Sequence, residues 1–229
     1  MNELSKQSSL NKKGVENSTL KETGLTQAER TELSDKRMFE ATITLINQRG
    51  PSGTSLKEVG ELAGYSRGLA SHRFGSKEKL FQFVVKQLAR LWSEQLTSVT
   101  KGKSGIDAIE CAIDKHYEFC FDTPSYVQAL YTLWFEAATT NSELTDTMKE
   151  IHHHRFQDVV NWILQSPKIS QEVKKQADVI AAQFSSTVIG IVYHCLMNSD
   201  RESEIKALHD GLKKTMRVLL HLNFDSSES

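Results

Sequence analysis

The sequence predicts an all-α protein, on the basis of three observations. Apolar side chains recur every three to four residues through most of the chain after residue 28, which is the helical period. No stretch alternates apolar and polar residues between turn signals, as strands do. The chain has three prolines, and each falls between two periodic stretches, where a helix has to end.

The pattern divides the chain into about nine helices in two domains. We expect a three-helix helix-turn-helix domain at residues 29–78 and a larger helical domain at residues 79–224. Residues 1–28 and 225–229 are polar and poor in large apolar side chains, so they are predicted to be disordered tails.

The first two helices are bounded by local signals. The first is expected over residues 30–48 and ends at Gly50. The second starts at Ser55, because the side chains of Ser55 and Glu58 can cap each other's backbone N–H groups as a capping box. Gly64 is expected to close this helix in the left-handed conformation that glycine adopts readily.

The remaining helices follow from caps and from periodicity. The third helix is expected over residues 67–74 with Ser66 as its N-cap, and the fourth begins after the N-cap Ser76. Further helices are expected at about 106–121, 124–140, 142–166, 170–198 and 202–222.

The composition indicates the state of the cysteines and the expected location of the protein. Three cysteines without metal-ligand spacing indicate reduced thiols. The first residues lack the apolar centre of a signal peptide, so a cytoplasmic location is expected. Residues 177–197 come closest to a membrane span, but five polar side chains interrupt them, and no membrane partner is expected.

The net charge of −1 conceals an uneven distribution along the chain. Residues 34–80 hold eight Lys and Arg against five Asp and Glu, whereas residues 81–229 hold fifteen against nineteen. A local excess of positive charge indicates a polyanionic partner.

The stretch GYSRGLASHRFGSKEKL, residues 64–80, lies in this basic part. Tyr65, Ala70 and Phe74 fall on one side of the third helix and are expected to face the first two helices, which turns the polar and basic side chains outward. Two short helices joined by a glycine turn, the second one basic, form a helix-turn-helix unit. Its second helix can enter the major groove of DNA.

Residues 34–80 resemble the DNA-binding domain of the tetracycline-repressor (TetR) family of bacterial regulators. The resemblance is carried by Gly50, Thr54-Ser55, Gly64-Tyr65-Ser66, Arg67-Gly68 and Phe74-x-Ser76-Lys77-Glu78. It implies a symmetric homodimer that binds a palindromic operator in double-stranded DNA.

The resemblance also implies which residues contact DNA. Arg67 and Leu69 would face base edges, and Arg73 would face bases or phosphates. The family commonly has an aromatic residue where this chain has Ser71, so that phosphate contact is lost or replaced by Arg73. The full implied set is Thr54, Ser55, Lys57, Ser66, Arg67, Gly68, Leu69, Ser71, His72, Arg73 and Lys77.

A pocket for a small apolar or aromatic effector is implied in the aromatic-rich middle of the chain. His116, His152 or Glu136 could supply a polar anchor, and the residues do not favour one of them. The alternative, that the aromatic side chains only form a core, stays open. The candidate lining residues are Trp92, Tyr117, Phe121, Tyr126, Tyr131, Trp134, Phe135 and Phe184.

The last two helices are the expected dimer interface, as a four-helix bundle formed with the partner. Whether their apolar faces are instead buried within one chain stays open at this point. The two faces are Phe184, Val188, Ile191, Val192 and Cys195 on one helix and Leu208, Leu212, Met216 and Leu219 on the other.

Metal binding and catalysis are less favoured. The consecutive residues His152, His153 and His154 would point about 100° apart on a helix, so they cannot share one ion. His194 and Cys195 diverge for the same reason, and no third orienting group is evident. We expect no metal, no cofactor and no catalytic residue.

The leading hypothesis is a repressor that an effector releases from DNA by displacing the fourth helix. The alternatives are an activator, or a regulator controlled by a protein partner. An enzyme with thiol or metal chemistry is the competing class.

Overall fold

The protein is helical through the part of the chain that the computed structural model describes, residues 24–140, 142–197 and 202–220. The predicted all-α fold is therefore confirmed. The predicted tail at 225–229 and most of the tail at 1–28 lie outside these residues. The described helices are α1 Gln27–Arg49, α2 Leu56–Leu62, α3 Leu69–Phe74, α4 Lys77–Thr100, α5 Gly105–Asp122, α6 Pro124–Ala138, α7 Glu143–Gln165, α8 Gln171–Lys174, α9 Ala177–Met197 and α10 Glu202–Leu219.

Helix α1 begins at Gln27, three residues earlier than predicted. The cause is a capping box that the sequence analysis missed. The hydroxyl of Thr26 accepts the N–H of Glu29 at 3.3 Å, and the carboxylate of Glu29 accepts the N–H of Thr26 at 2.7 Å. Two residues assigned to the disordered tail are therefore helical.

The predicted N-cap of the third helix is wrong. Helix α3 begins at Leu69 with Gly68 at the cap position and no side-chain cap. The N–H of Leu69 donates to the carbonyl of Ser66 at 3.0 Å, so the chain makes a turn where a helix was expected. The predicted N-cap Ser76 of the fourth helix is confirmed, because its hydroxyl accepts the N–H of Lys79 at 3.1 Å.

The single helix predicted at 170–198 is two helices. Helix α8 is one short turn that ends at its C-cap Lys175, and α9 starts at Ala177. The N–H of Gln176 donates to the carbonyl of Val173 at 2.9 Å, which is the tighter spacing of a turn. This break is the reason for ten described helices where about nine were predicted.

The chain divides into two compact units between Val84 and Val85, within α4. In the first unit α1 packs on α2, and α2 packs on α3. Its core includes Met38, Val59 and Leu80, each with no exposed surface. Burial of such side chains contributes about 1.5–3 kcal/mol each to the unit's stability.

The α2–α3 turn depends on two glycines. Gly64 has a φ of 81°, and the N–H of Tyr65 donates to the carbonyl of Gly60 at 2.9 Å while that of Gly64 donates to Glu61 at 3.1 Å. This is a Schellman motif, and it confirms the predicted glycine cap. At Gly60 itself a Cβ would lie 2.9 Å from the carbonyl oxygen of Ser66 and 3.7 Å from the Cβ of Ala70.

The second unit is built around one apolar core. Helices α5, α7, α9 and α10 pack against one another, and α6 packs on α5 and α7. The core contains Ile109, Ile163, Ala181 and Met216, which have no exposed surface.

The apolar faces predicted for dimerisation pack against the core of the second unit, fully or in part. Ile191, Val192, Leu212 and Met216 are at most 3% exposed. The other five side chains of the two predicted faces pack against the same core. These residues therefore stabilise the second unit itself, because four helices of one chain already cover them.

Helix α9 still exposes other apolar side chains. By length and composition it could cross a membrane, with a mean hydropathy of 1.6, but it packs against α7 and α10. Only 22% of its most apolar window is buried. Val179, Tyr193 and Met197 are 56–63% exposed, and this surface is the one that a partner can reach.

The close approach at Gly60 gives the first testable prediction. Replacing Gly60 with Ala should lower the free energy of unfolding by about 1–3 kcal/mol, since backbone atoms have to move to admit the Cβ. Gly68→Ala is the matched control, because a Cβ there meets nothing within 4 Å and its φ is −86°. Urea denaturation of both variants measures the difference, and equal stabilities would contradict the close packing.

Candidate functional site

Helix α3 has one buried side and one exposed side. Ala70 has no exposed surface, and Tyr65 and Phe74 are half-buried beside it. Leu69 is half-buried. The exposed residues of the turn and helix are Ser66, Arg67, Gly68, Ser71, His72 and Arg73. The structure therefore presents most of the predicted DNA-contacting residues of this segment on one surface.

Arg67 projects from this surface with its side chain 70% exposed. Its guanidinium pairs with the carboxylate of Glu61, which is itself 40% exposed. An exposed pair of this kind contributes little to stability, about 0–1 kcal/mol, so the guanidinium can exchange this partner for another anion at small cost.

Arg73 pairs with an acidic residue of the first unit, and its predicted role as a base or phosphate contact stays a prediction. Its guanidinium forms an ion pair with the carboxylate of Asp35 on α1, with a hydrogen bond of 2.5 Å from Nη2 to Oδ2. A charge-assisted hydrogen bond is stronger than one between neutral groups. Arg73 therefore positions α3 against α1.

The hydroxyl groups of Thr54 and Ser55 form hydrogen bonds within the first unit at the start of α2. Thr54 is 2% exposed, and its hydroxyl donates to the carbonyl of Gly50 at 3.0 Å, so this hydroxyl already has a partner within the fold. The hydroxyl of Ser55 accepts the N–H of Glu58 at 3.3 Å and donates to its carboxylate at 2.7 Å. This hydrogen bond, assisted by Arg49, lowers the pKa of Glu58.

The two predicted lysines differ in availability. The ammonium of Lys77 donates to the carbonyl of Pro51 at 3.2 Å and lies 5.9 Å from the ring centre of Phe81, so it is held within the unit. Lys57 on α2 is exposed. Arg30 is a further exposed cation that the sequence analysis missed, and it shares a surface groove with Leu69, His72 and Arg73. The sequence does contain a signal for Arg30, namely the Thr26–Glu29 capping box, which extends α1 to that groove.

The second unit contains a partly open cavity of about 80 Å³. Four of the eight predicted aromatic residues line it, namely Trp92, Tyr131, Trp134 and Phe184. The rings of Tyr131 and Trp134 stack with 5.8 Å between their centres and 11° between their planes. All three tryptophans of the chain line the cavity, because Trp162 does so as well.

The other four predicted aromatic residues do not line this cavity. Tyr117 donates its hydroxyl to Glu202 at 2.7 Å. Phe121 lines a separate cleft beside Cys120 and Cys195, and Phe135 is 48% exposed. Tyr126 is half-buried elsewhere in the unit. The predicted anchors His116 and His152 do line the cavity, whereas Glu136 does not.

The sequence analysis missed the charged residue of the cavity, Arg155 on α7. Its guanidinium carbon lies 5.9 Å from the ring centre of Trp92 and 5.8 Å from that of Trp134. Burial lowers the pKa of Arg155. A signal existed, because Arg155 falls in the apolar stripe of α7, four residues before Val159 and three after His152.

His116 and His209 form a buried pair at the edge of the cavity. Nδ1 of His116 lies 2.9 Å from Nε2 of His209, and Nδ1 of His209 lies 2.8 Å from the carbonyl oxygen of Ile205. That carbonyl can only accept, so His209 donates from Nδ1 and presents a lone pair to His116. Burial, with smaller effects of His209 and Arg155, lowers the pKa of His116 to about 3. Burial also lowers the pKa of His209.

Potential metal ligands were predicted not to converge at residues 152–154. His152 lies edge-on to Trp134 with 5.7 Å between ring centres, whereas His153 and His154 are exposed. Within the described residues, one group of three ligand-type side chains does converge: His116, Cys120 and His209, with ligand atoms within 4.8 Å of one another. The direct imidazole–imidazole bond already occupies two of the three ligand positions. A bond with Cys195, together with burial, raises the pKa of Cys120.

Comparison with known proteins agrees with this geometry. Residues 39–84 match the family described as bacterial regulatory proteins, tetR family. The chain is 36% identical to the HTH-type transcriptional regulator BetI of Paraburkholderia phymatum over 63 residues, which are 27% of this chain and 32% of that one. The chain thus spans about a third of that relative. It is 21% identical to BetI of Vibrio vulnificus over 79% of this chain and 91% of that one.

Solved structures share the fold beyond the matched segment. A transcriptional regulator from Rhodococcus sp. RHA1 superposes with a TM-score of 0.69 at 20% identity, over 82% of this chain and 96% of that one. A regulator from Saccharomonospora viridis, solved with choline, superposes with a TM-score of 0.66 at 16% identity, over 83% and 97%.

The fold and the two sites define a helix-turn-helix protein whose second, all-helical unit contains an aromatic cavity. Residues 39–84 match the tetR family of bacterial regulatory proteins, and the solved structures share the fold of most of the chain.

The buried His116 makes stability depend on pH. In the unfolded chain it binds a proton near pH 6.5, but in the folded protein only near pH 3, so stability falls as the pH drops through this interval. The loss is about 1.4 kcal/mol per pH unit, or about 2 kcal/mol between pH 6.5 and pH 5.

Replacing His116 with Gln should remove this contribution, so the variant should lose about 2 kcal/mol less than the native protein between pH 7 and pH 5. Urea denaturation at both pH values measures this difference. His153→Gln is the control, because that side chain is exposed and should leave the pH dependence unchanged. Equal pH dependence in the native protein and His116→Gln would contradict the assignment.

Proposed function

We propose that the protein is a cytoplasmic, dimeric transcriptional repressor that binds a palindromic operator and is released from it by a small-molecule effector. The observation that carries the proposal is α3, which has its apolar side fixed on α1 and α2 and its polar, cationic side exposed. A helix presented in this way fits the major groove, which is about 12 Å wide.

DNA contacts are assigned to the exposed residues of this surface. Arg67 reads a base edge, because a guanidinium can bridge the two acceptors of a guanine and its present partner Glu61 is weakly held. Lys57 and Arg30 contact phosphates as exposed cations, and Ser71 and His72 add hydrogen bonds from α3. Arg73 and Lys77 act by positioning α3 and the start of α4.

The homodimer is assigned to the exposed surfaces of α9 and α10. Exposed residues recur on α9 at helical spacing, and small residues in the middle of the stripe allow close approach of a second helix. A matching stripe runs along α10. The stripes are Val179, Ala182, Ser186, Gly190, Tyr193 and Met197, and Ala207, Gly211, Thr215 and Val218.

Effector control is assigned to the cavity. Helix α4 contributes Trp92 to its lining, and the same helix begins at Lys77 in the first unit. An effector that prefers one position of α4 therefore shifts the equilibrium between the DNA-binding and the released state, by at most its difference in affinity for the two.

The test of the function is selection of bound sequences from a random pool of duplex DNA. The proposal predicts a palindromic sequence whose half-sites lie about one helical turn, 34–36 Å, or a multiple of it apart. It also predicts affinity that falls steeply with salt. Recovery of no enriched sequence and no binding in dilute buffer would contradict it.

Two substitutions separate base reading from phosphate binding. Arg67→Ala should cost about 1–3 kcal/mol of affinity for the selected operator and relax its specificity at one position. Lys57→Ala should weaken binding to all sequences alike and reduce the salt slope by about one. Fluorescence anisotropy measures both, with Thr54→Val as a control whose lost hydroxyl is buried. Native affinity in Arg67→Ala would show the base-reading assignment to be wrong.

The dimer surface is tested at Gly190. A side chain there meets nothing within 4 Å in the chain, so Gly190→Leu should fold normally but hold two α9 helices apart. Light scattering should report twice 25.9 kDa for the native protein and a shift toward 25.9 kDa for the variant. Ser98→Leu, at an exposed helical position outside the stripes, should remain dimeric. A monomeric native protein, or a dimeric Gly190→Leu, contradicts this surface.

A further inference from the structure

We propose that the effector of this protein is an anion, namely a compact apolar or aromatic carboxylate whose charged group binds Arg155 in the cavity of the second unit. This inference rests on the proposed function, because it names the chemical class of the effector of the same cavity. It goes further in assigning the charge of the ligand and the residue that selects it.

The first argument is the environment of Arg155. Among the residues that the structure describes, its guanidinium contacts the rings of Trp92 and Trp134 and has no hydrogen bond or ion pair with a carboxylate. Asp158 is its nearest acidic influence, on the same helix, and lies outside ion-pair distance. Arg155 is half-buried, and a charged side chain that is partly removed from water is usually paired in folded proteins.

The cost of removing the guanidinium of Arg155 from water can be compared with the stabilisation that its ring contacts provide. An arginine stays protonated, because its ordinary pKa lies too high for burial to neutralise it near pH 7. Removing such a cation even partly from water is unfavourable, and the cost rises with the fraction of the side chain that is buried. Contacts with two aromatic rings stabilise the guanidinium by about 0.5–2 kcal/mol each. A carboxylate would supply the missing partner, and its two oxygens match the planar fork of the guanidinium.

The remaining polar groups of the cavity suit the same ligand. Burial lowers the pKa of both His116 and His152, so both imidazoles are neutral near pH 7 and neither brings a second charge. Tyr131 adds a hydroxyl, and burial raises its pKa, so it stays a donor. The cavity therefore offers one cation, hydrogen-bond donors and an apolar wall, and no carboxylate lines it.

A cationic ligand is disfavoured by the same geometry. A quaternary ammonium compound such as choline binds against the faces of aromatic rings. In this protein the guanidinium of Arg155 already lies on the faces of Trp92 and Trp134, which line the cavity. A second cation would displace it or face it without screening by water.

The size of the cavity limits the ligand. About 80 Å³ corresponds to roughly five to eight water molecules, at about 10–15 Å³ for each. A single ring with a short acidic side chain fits this scale after small side-chain movements, whereas a long acyl chain does not.

The experiment compares three probes of similar shape and different charge: phenylacetate, phenylacetamide and benzyltrimethylammonium. Intrinsic fluorescence is a direct readout, because all three tryptophans of the full chain line the cavity. Calorimetry provides the dissociation constants. Phenylacetate should bind at least tenfold more tightly than the amide, and the ammonium compound should bind most weakly.

The variant Arg155→Met keeps an unbranched, largely apolar side chain and removes the guanidinium with its charge. It should bind phenylacetate and phenylacetamide with affinities within about threefold of each other, which is the outcome of losing one buried ion pair. Arg90→Met is the matched control, because Arg90 is exposed and pairs with Glu94 on the surface. It should keep the native preference. The comparison of the acid with the amide on the native protein holds even if Arg155→Met does not fold.

Three outcomes would overturn the inference: amide or ammonium binding as tight as that of the acid, an acid preference that survives in Arg155→Met, or no binding of any probe at millimolar concentration. Operator binding is measured on the same preparations. If the native protein does not bind an operator, the proposed function as a regulator is contradicted. If it binds an operator but does not prefer the acid, only the anionic effector is contradicted.

Discussion

The close contact between α2 and α3 at Gly60 is the constraint on which the exposed surface of α3 depends. Because Gly60 has no side chain, the carbonyl of Ser66 approaches α2, and Ala70 is buried with no exposed surface. The ion pair between Arg73 and Asp35 then fixes the rotation of α3 from the side of α1. Two interactions, one steric and one electrostatic, thus leave α3 a single orientation. The side chains that remain exposed are those that carry the proposed chemistry.

Local signals in the sequence predicted the fold well, because caps and periodicity act over a few residues. Ser76 and Gly64 behave as their neighbours in the chain indicate. The prediction at Ser66 was wrong, since serine is favoured both at N-caps and in turns, and only the crossing at Gly60 decides between them. The burial of Thr54 could not be predicted for a related reason. Its hydroxyl satisfies a carbonyl of its own turn, and burial of that turn is a property of the tertiary structure.

The sequence predicted an aromatic cavity in the middle of the chain, but it did not predict which residues line it. Periodicity places an aromatic residue on a face of a helix, but it does not say which neighbour that face meets. Tyr117 and Trp134 therefore looked equivalent in the sequence, although one bonds to Glu202 and the other lines the cavity. Arg155 was overlooked because the three histidines before it invited a metal interpretation. An arginine within an apolar stripe is the stronger signal, since it needs a partner that an exposed residue does not need.

The same chemical group thus stands in two different environments in the two units, and these environments differ in their exposure to solvent. The guanidinium of Arg67 is 70% exposed, so water screens its pairing with Glu61 and a new anion can replace that partner with little net cost. Affinity gained there has to come from many contacts made together, as on DNA. The guanidinium of Arg155 lies between aromatic rings, where one anion can gain a large interaction from one contact. A small ligand offers only a few contacts, so one interaction with a half-buried cation that lacks an anionic partner can supply a large part of its affinity.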